Sequence, residues 1–139
     1  MKYNFEVKVR VNRVQQNDLV KNVNETYLVN ANSFGESENV VCTLLSQQQT
    51  EYEVKSVRIS GISEVIGHAA CEGYFLVTAV VTTLTDRGSE KKVKCRILVG
   101  AGFIDEVRAI VLKEMDVFGD HYHIDSIKES AIIEYITTP

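Results

Sequence analysis

The sequence predicts an α+β fold: two tandem strand-strand-helix-strand-strand repeats packed as one pseudo-symmetric, mainly antiparallel sheet domain. Three observations lead there. The chain matches itself at an offset of 70 residues, each half opens on apolar residues at every second position, and each half then changes to a helical period. Antiparallel sheet with helices over one face is the layer arrangement that buries both kinds of apolar stripe.

The offset is visible without gaps. Phe5 meets Phe75, Val7 meets Val77, Val11 meets Val81, Lys21 meets Lys91, Leu28-Val29 meets Leu98-Val99, and Val41 meets Val111. The densest block sets Tyr52–Ile66 against Tyr122–Ile136, where Ser56, Ser60 and Glu64 recur as Ser126, Ser130 and Glu134. A duplication explains these matches, with repeats over about 4–66 and 74–136 of a single domain spanning 1–139.

Phe5, Val7, Val9 and Val11 alternate with Glu6, Lys8 and Arg10, the pattern of a half-buried strand. Gln15-Gln16-Asn17-Asp18 then turns the chain into a second strand near 23–30. In the other half Thr85-Asp86-Arg87-Gly88-Ser89 makes the same turn, with a glycine suited to positive φ. Val107, Ile110, Val111, Met115 and Phe118 share one helical face, and Val40, Val41, Leu44 and Leu45 form its counterpart. Asn32 or Ser33 is the N-cap of the first helix, and Glu36, Asp105 and Glu106 oppose the helix dipoles. Strands beginning at Tyr52 and Tyr122 follow, then apolar runs at 62–66 and 131–136. The joint 67–73 is short, which favours halves packed together. Tyr74–Leu84 is apolar on both faces and is expected to be covered on both.

Composition bounds the function. With 15 Lys and Arg against 19 Asp and Glu, the net charge of −4 provides no global attraction to nucleic acid or to anionic lipid. No apolar run approaches the ~18–20 residues of a membrane span, so no membrane partner is expected. The charged start Met1-Lys2-Tyr3-Asn4-Phe5-Glu6 does not read as a signal peptide, and three cysteines without CxxC spacing suit reduced thiols, which together predict a cytoplasmic location.

Three stretches carry a family resemblance. They are Phe5-Glu6-Val7-Lys8-Val9-Arg10, then Lys21 with Glu25-x-Tyr27-Leu28-Val29-x-Ala31-x-Ser33-Phe34, and Ile124-x-Ser126-Ile127-x-Glu129-Ser130-Ala131-Ile132. In these the chain resembles an uncharacterised domain-of-unknown-function family of short duplicated proteins from Bacteroides-type bacteria and their phages. The resemblance covers nearly the whole chain. It implies a phage or mobile-element setting in a bacterial cytoplasm, and it carries over no activity, cofactor or catalytic residue.

The residues themselves signal no catalytic constellation, no metal site and no cofactor. Gly100-Ala101-Gly102 lies between a strand and a helix but lacks the further glycine and the Lys-Ser/Thr pair of a phosphate loop. His121 and His123 share a strand face, with Asp120 and Asp125 nearby, yet no third ligand is signalled. His68 and Cys71 form an isolated HxxC. Glu64 and Glu134 could line a pseudo-twofold cleft, although a solvated strand face is the plainer reading.

One surface stands out. Lys92, Lys94 and Arg96 alternate with Val93, Cys95 and Ile97, with Lys91 beside them. Lys8, Arg10 and Arg13 come from the first strand, with Tyr3 and Tyr27 available for stacking. Lysines on strands also discourage edge-to-edge aggregation. The leading expectation is therefore a non-enzymatic cytoplasmic binding or assembly module, its ligand lying across a pseudo-twofold sheet surface that includes Lys8, Arg10, Lys92, Lys94 and Arg96. Self-association is the partner the duplication suggests. The alternative is an accessory factor that binds nucleotides or single-stranded nucleic acid.

Overall fold

The computed structural model describes residues 1–67, 73–118 and 121–139, without the side chains of residues 117 and 118. His68, Cys71 and Asp120 thus lie outside the described residues. In chain order the elements are β1 (Tyr3–Val14), β2 (Val20–Ala31), α1 (Phe34–Gln47), β3 (Tyr52–Ile59), β4 (Glu64–Ile66), β5 (Gly73–Leu84), β6 (Glu90–Ala101), α2 (Ile104–Glu114), β7 (Tyr122–Glu129) and β8 (Ile132–Thr137). A 3-10 turn at Met115–Phe118 continues α2. The α+β class and the mainly antiparallel pairing are those the sequence predicts. The strands divide into two four-stranded sheets, ordered β3-β1-β2-β8 and β4-β6-β5-β7.

Two compact units follow from this division. The first comprises Met1–Gly61 with Ala131–Pro139, and the second comprises Ile62–Ser130. The final short strand of each half thus completes the sheet built by the other half. Both short strands pair in parallel and at matching places: Glu64 with Ile97 and Ile66 with Val99, Glu134 with Tyr27 and Ile136 with Val29. The described helices include none long and apolar enough to cross a membrane.

In the first unit, alternation along β1 sends Phe5, Val7, Val9 and Val11 to one face, where they bury with Tyr27, Val29 and Ala31 of β2 under Val41 and Leu45 of α1. Each of the Val, Leu and Phe side chains among them contributes roughly 1.5–3 kcal/mol through burial. Ser33 is the N-cap of α1, its Oγ accepting from the Glu36 amide at 3.1 Å, and Asn32 also reaches the Glu36 carboxylate. Lys2 Nζ donates to the carbonyls of Thr138 and Pro139, tying the first strand to the end of the last.

The second unit repeats the plan. Phe75, Val77, Ala79 and Val81 of β5 pack with Ile97, Val99 and Ala101 of β6 under Val107, Val111 and Met115. The N-cap of α2 is Phe103, which makes no side-chain cap bond. Tyr74, Leu76 and Val80, on the other face of β5, are also buried, so this strand is covered on both faces as far as Val81, while Thr83 and Leu84 are exposed. Both hairpin turns use a left-handed residue at the matching place, Asp18 at φ 62° and Gly88 at φ 78°. Both outer pairs shift register at matching places too, between Lys8 and Val9 and between Thr78 and Ala79. The recurring serines close strand ends: the Ser60 amide and Oγ donate to the Asn4 carbonyl, and the Ser130 amide donates to that of Tyr74.

Candidate functional site

The basic residues singled out in the sequence fall in both units. In the second unit, Val81 pairs with Val93, Ala79 with Cys95 and Val77 with Ile97, which fixes the α2-facing side of β6. Strand alternation sends Lys92, Lys94 and Arg96 to the opposite face. All three are exposed, and repeat about 6.6–6.8 Å apart along the strand. Lys91 lies on the α2-facing side, so it does not join the stripe. Among the described residues neither Lys92 nor Lys94 is in an ion pair.

The edge of β6 is only partly covered. Its pairing with β4 is confined to Ile97, Leu98 and Val99, and the Ser63 amide continues it by donating to the Arg96 carbonyl at 2.9 Å. Beyond that point, Glu90–Cys95 has no neighbouring strand on this side among the described residues. In an antiparallel ladder, backbone groups turn alternately toward one neighbour and the other. Because the Arg96 carbonyl faces the β4 side, the backbone groups of Lys94, Lys92 and Glu90 face the open edge. The disparity between a twelve-residue β6 and a three-residue β4 creates this edge, and the short apolar run at 62–66 is its trace in the sequence.

In the first unit, Lys8 and Arg10 are exposed on the face of β1 away from α1, with Lys8 opposite Thr26 and Ser56, and Arg10 opposite Asn24 and Glu53. Arg13 does not join them. An odd step from Arg10 turns it to the α1-facing side, where Nε donates to Glu25 Oε2 at 3.2 Å and Nη2 to Glu25 Oε1 at 2.7 Å. Its Nη1 donates to Gln48 Oε1 at 3.0 Å. The hydrogen bonding to Glu25 foremost, and then the Glu25 charge, hold the guanidinium above its ordinary pKa against the opposing effect of burial.

Tyr27 is not available for stacking either. It is 1% exposed, and its hydroxyl donates to Glu25 Oε1 at 3.1 Å. Burial, and then the negative charge of Glu25, push the phenol up to about 12. The same positions in the second unit are Thr83, Cys95 and Ile97, so this polar network belongs to the first unit alone. Tyr3 is half exposed and packs edge-on against Phe5, which in turn meets Phe34.

His121 and His123 are exposed at the start of β7, and no group of three metal-ligating side chains occurs among the described residues. Glu64 and Glu134 are exposed in different units. Gly100-Ala101-Gly102 ends β6 and leads into α2, whose first turn carries Asp105 and Glu106, charges that oppose a phosphate there. A groove of about 300 Å³ beside Arg10 is lined by Asn12, Asn22, Glu51, Tyr52 and Glu53, and Asn12 Nδ2 already donates to Glu51 within it.

No curated protein and no solved structure matches the chain. The family described as Domain of unknown function (DUF4494) matches it over residues 3–138, and the chain belongs to that family.

Proposed function

We propose that the protein is a non-enzymatic binding or assembly module whose second unit holds an anionic partner at Lys92, Lys94 and Arg96, on the side of β6 that points away from α2. One observation carries this reading: Lys92, Lys94 and Arg96 present three cations in a row on one exposed strand face, and Lys92 and Lys94 have no acidic partner among the described residues. A row of like charges steers and selects a partner of complementary charge. The absence of a global positive charge makes the attraction local to this stripe. The phage or mobile-element setting and the cytoplasmic location belong to the same proposal, and rest on the family resemblance and on cysteine usage.

The test is fluorescence anisotropy against labelled poly-glutamate and labelled oligo-thymidylate, in the parent and in the Lys92→Glu, Lys94→Glu variant. Saturable binding to one of them that the variant loses supports the reading. Equal binding by the variant overturns it. The second reading, a nucleotide- or nucleic-acid-binding accessory factor, uses the same stripe and requires preference for the oligonucleotide with a steep fall of affinity in salt. Of the two aromatic residues the sequence offers for base stacking, Tyr27 is buried.

A further inference from the structure

Resting on that reading of the β6 face, we infer that the partner is an acidic, extended polypeptide segment that adds to the second unit as a strand along the open edge at Glu90–Cys95. Three features of this edge coincide. First, the run is six residues long, the length of an ordinary strand, and lies directly past the point where β4 and Ser63 stop covering β6. Second, the residues whose backbone groups face the edge include Lys92 and Lys94, the same residues that carry the cations. An added strand therefore meets an N–H, a C=O and a positive charge at one repeat of about 6.6–6.8 Å, which is also the repeat of its own alternate side chains. Third, Val93 lies between the two lysines on the opposite face and is 39% exposed, so the intervening side chains of the partner meet an apolar neighbour. The pattern recognised is Asp or Glu alternating with Val, Ile or Thr. A nucleic acid strand would use the cations and leave the backbone edge unpaired.

Edge protection alone does not account for these lysines, because the first unit contains its own control. The matching stretch Val20–Glu25 of β2 also lies past the end of its short partner β8, whose pairing starts at Thr26. Both edges keep one lysine at the same place, Lys21 and Lys91, but β2 has Asn22 and Asn24 where β6 has Lys92 and Lys94. The fold thus carries this edge without the extra cations in one unit and with them in the other.

The test uses the full chain, isotope-labelled, with a short synthetic peptide of alternating glutamate and valine. Controls are the same peptide N-methylated at alternate amides and an oligo-thymidylate. Strand addition predicts that the peptide slows amide exchange at Lys92 and Lys94 by ~tenfold or more near saturation, leaves Asn22 and Asn24 unchanged, and binds ~tenfold more weakly once N-methylated. The Lys92→Asn, Lys94→Asn variant loses binding while its remaining amide spectrum is retained. Binding with no amide protection and no effect of N-methylation overturns strand addition but leaves the anion-binding face standing. Binding of the oligonucleotide and not the peptide overturns this inference in favour of the second reading. Binding of neither overturns both this inference and the reading it rests on.

Discussion

Arg13 grips Glu25 through two parallel hydrogen bonds, Nη2 to Oε1 at 2.7 Å and Nε to Oε2 at 3.2 Å, on the α1-facing side of the first sheet. Glu25 also receives the Tyr27 hydroxyl, and Arg13 reaches on to Gln48 just past the end of α1. The three-sided grip locks the upper part of the β1–β2 hairpin to the helix above it. Replacing Glu25 by Gln leaves a charged guanidinium with a neutral partner, and we expect a loss of about 1–2 kcal/mol by denaturant unfolding. Glu25→Gln together with Arg13→Gln should cost less than the sum of the separate losses, because the pair is coupled.

Tyr27 makes stability depend on pH in the alkaline range. Its phenol is pushed up to about 12 in the folded chain, by burial first and then by Glu25, against an unfolded value near 10. A group whose folded pKa is raised contributes fully below its unfolded pKa. That contribution is lost as pH rises from about 10 toward 12. Unfolding free energies measured across this window should fall in the parent, and fall less in Tyr27→Phe.

The two helices differ at their starts. Ser33 caps α1 through its Oγ, whereas Phe103 gives α2 no side-chain acceptor and is itself 67% exposed. Ser33→Ala should lower stability by about 1 kcal/mol, and Phe103→Ser should raise it by up to about 1 kcal/mol. Opposite signs in a single set of urea titrations would confirm that side-chain capping separates the two helices.

Two glycines with positive φ provide a graded comparison. Gly67, at φ 64°, would place a Cβ 3.1 Å from the Gly100 carbonyl oxygen, while Gly88, at φ 78°, opens into space. Gly88→Ala pays left-handed strain alone, about 1–2 kcal/mol. Gly67→Ala pays that and the crowding of two backbones, so thermal unfolding should show the larger loss at Gly67.

Much of this was legible in the chain. Alternation from Phe5 to Val11 marks β1, the pairing of Ser33 with Glu36 marks the start of α1, and the recurrence of Gly88 at the place of Asp18 marks matching turns. Arg13 was misplaced, although its parity against Val11 already puts it on the core side. Tyr27 was misplaced because it stands inside an unbroken buried run, Thr26–Val29, where period-two reasoning does not distinguish the faces. The reciprocal use of β4 and β8 was not legible at all. The repeat shows that these strands correspond, but which sheet each completes depends on pairing between distant residues, and three residues of β4 carry too little pattern to specify it.

The most direct test of the account exploits the difference between the two open edges. Affinity for poly-glutamate should be measured for the parent, for Lys92→Asn with Lys94→Asn, and for Asn22→Lys with Asn24→Lys, with far-ultraviolet circular dichroism confirming that each is folded. The account predicts that the first variant loses affinity by ~tenfold or more, and that the second gains a binding site on the first unit. Unchanged affinity in the folded first variant would contradict the assignment of the β6 stripe as the binding face.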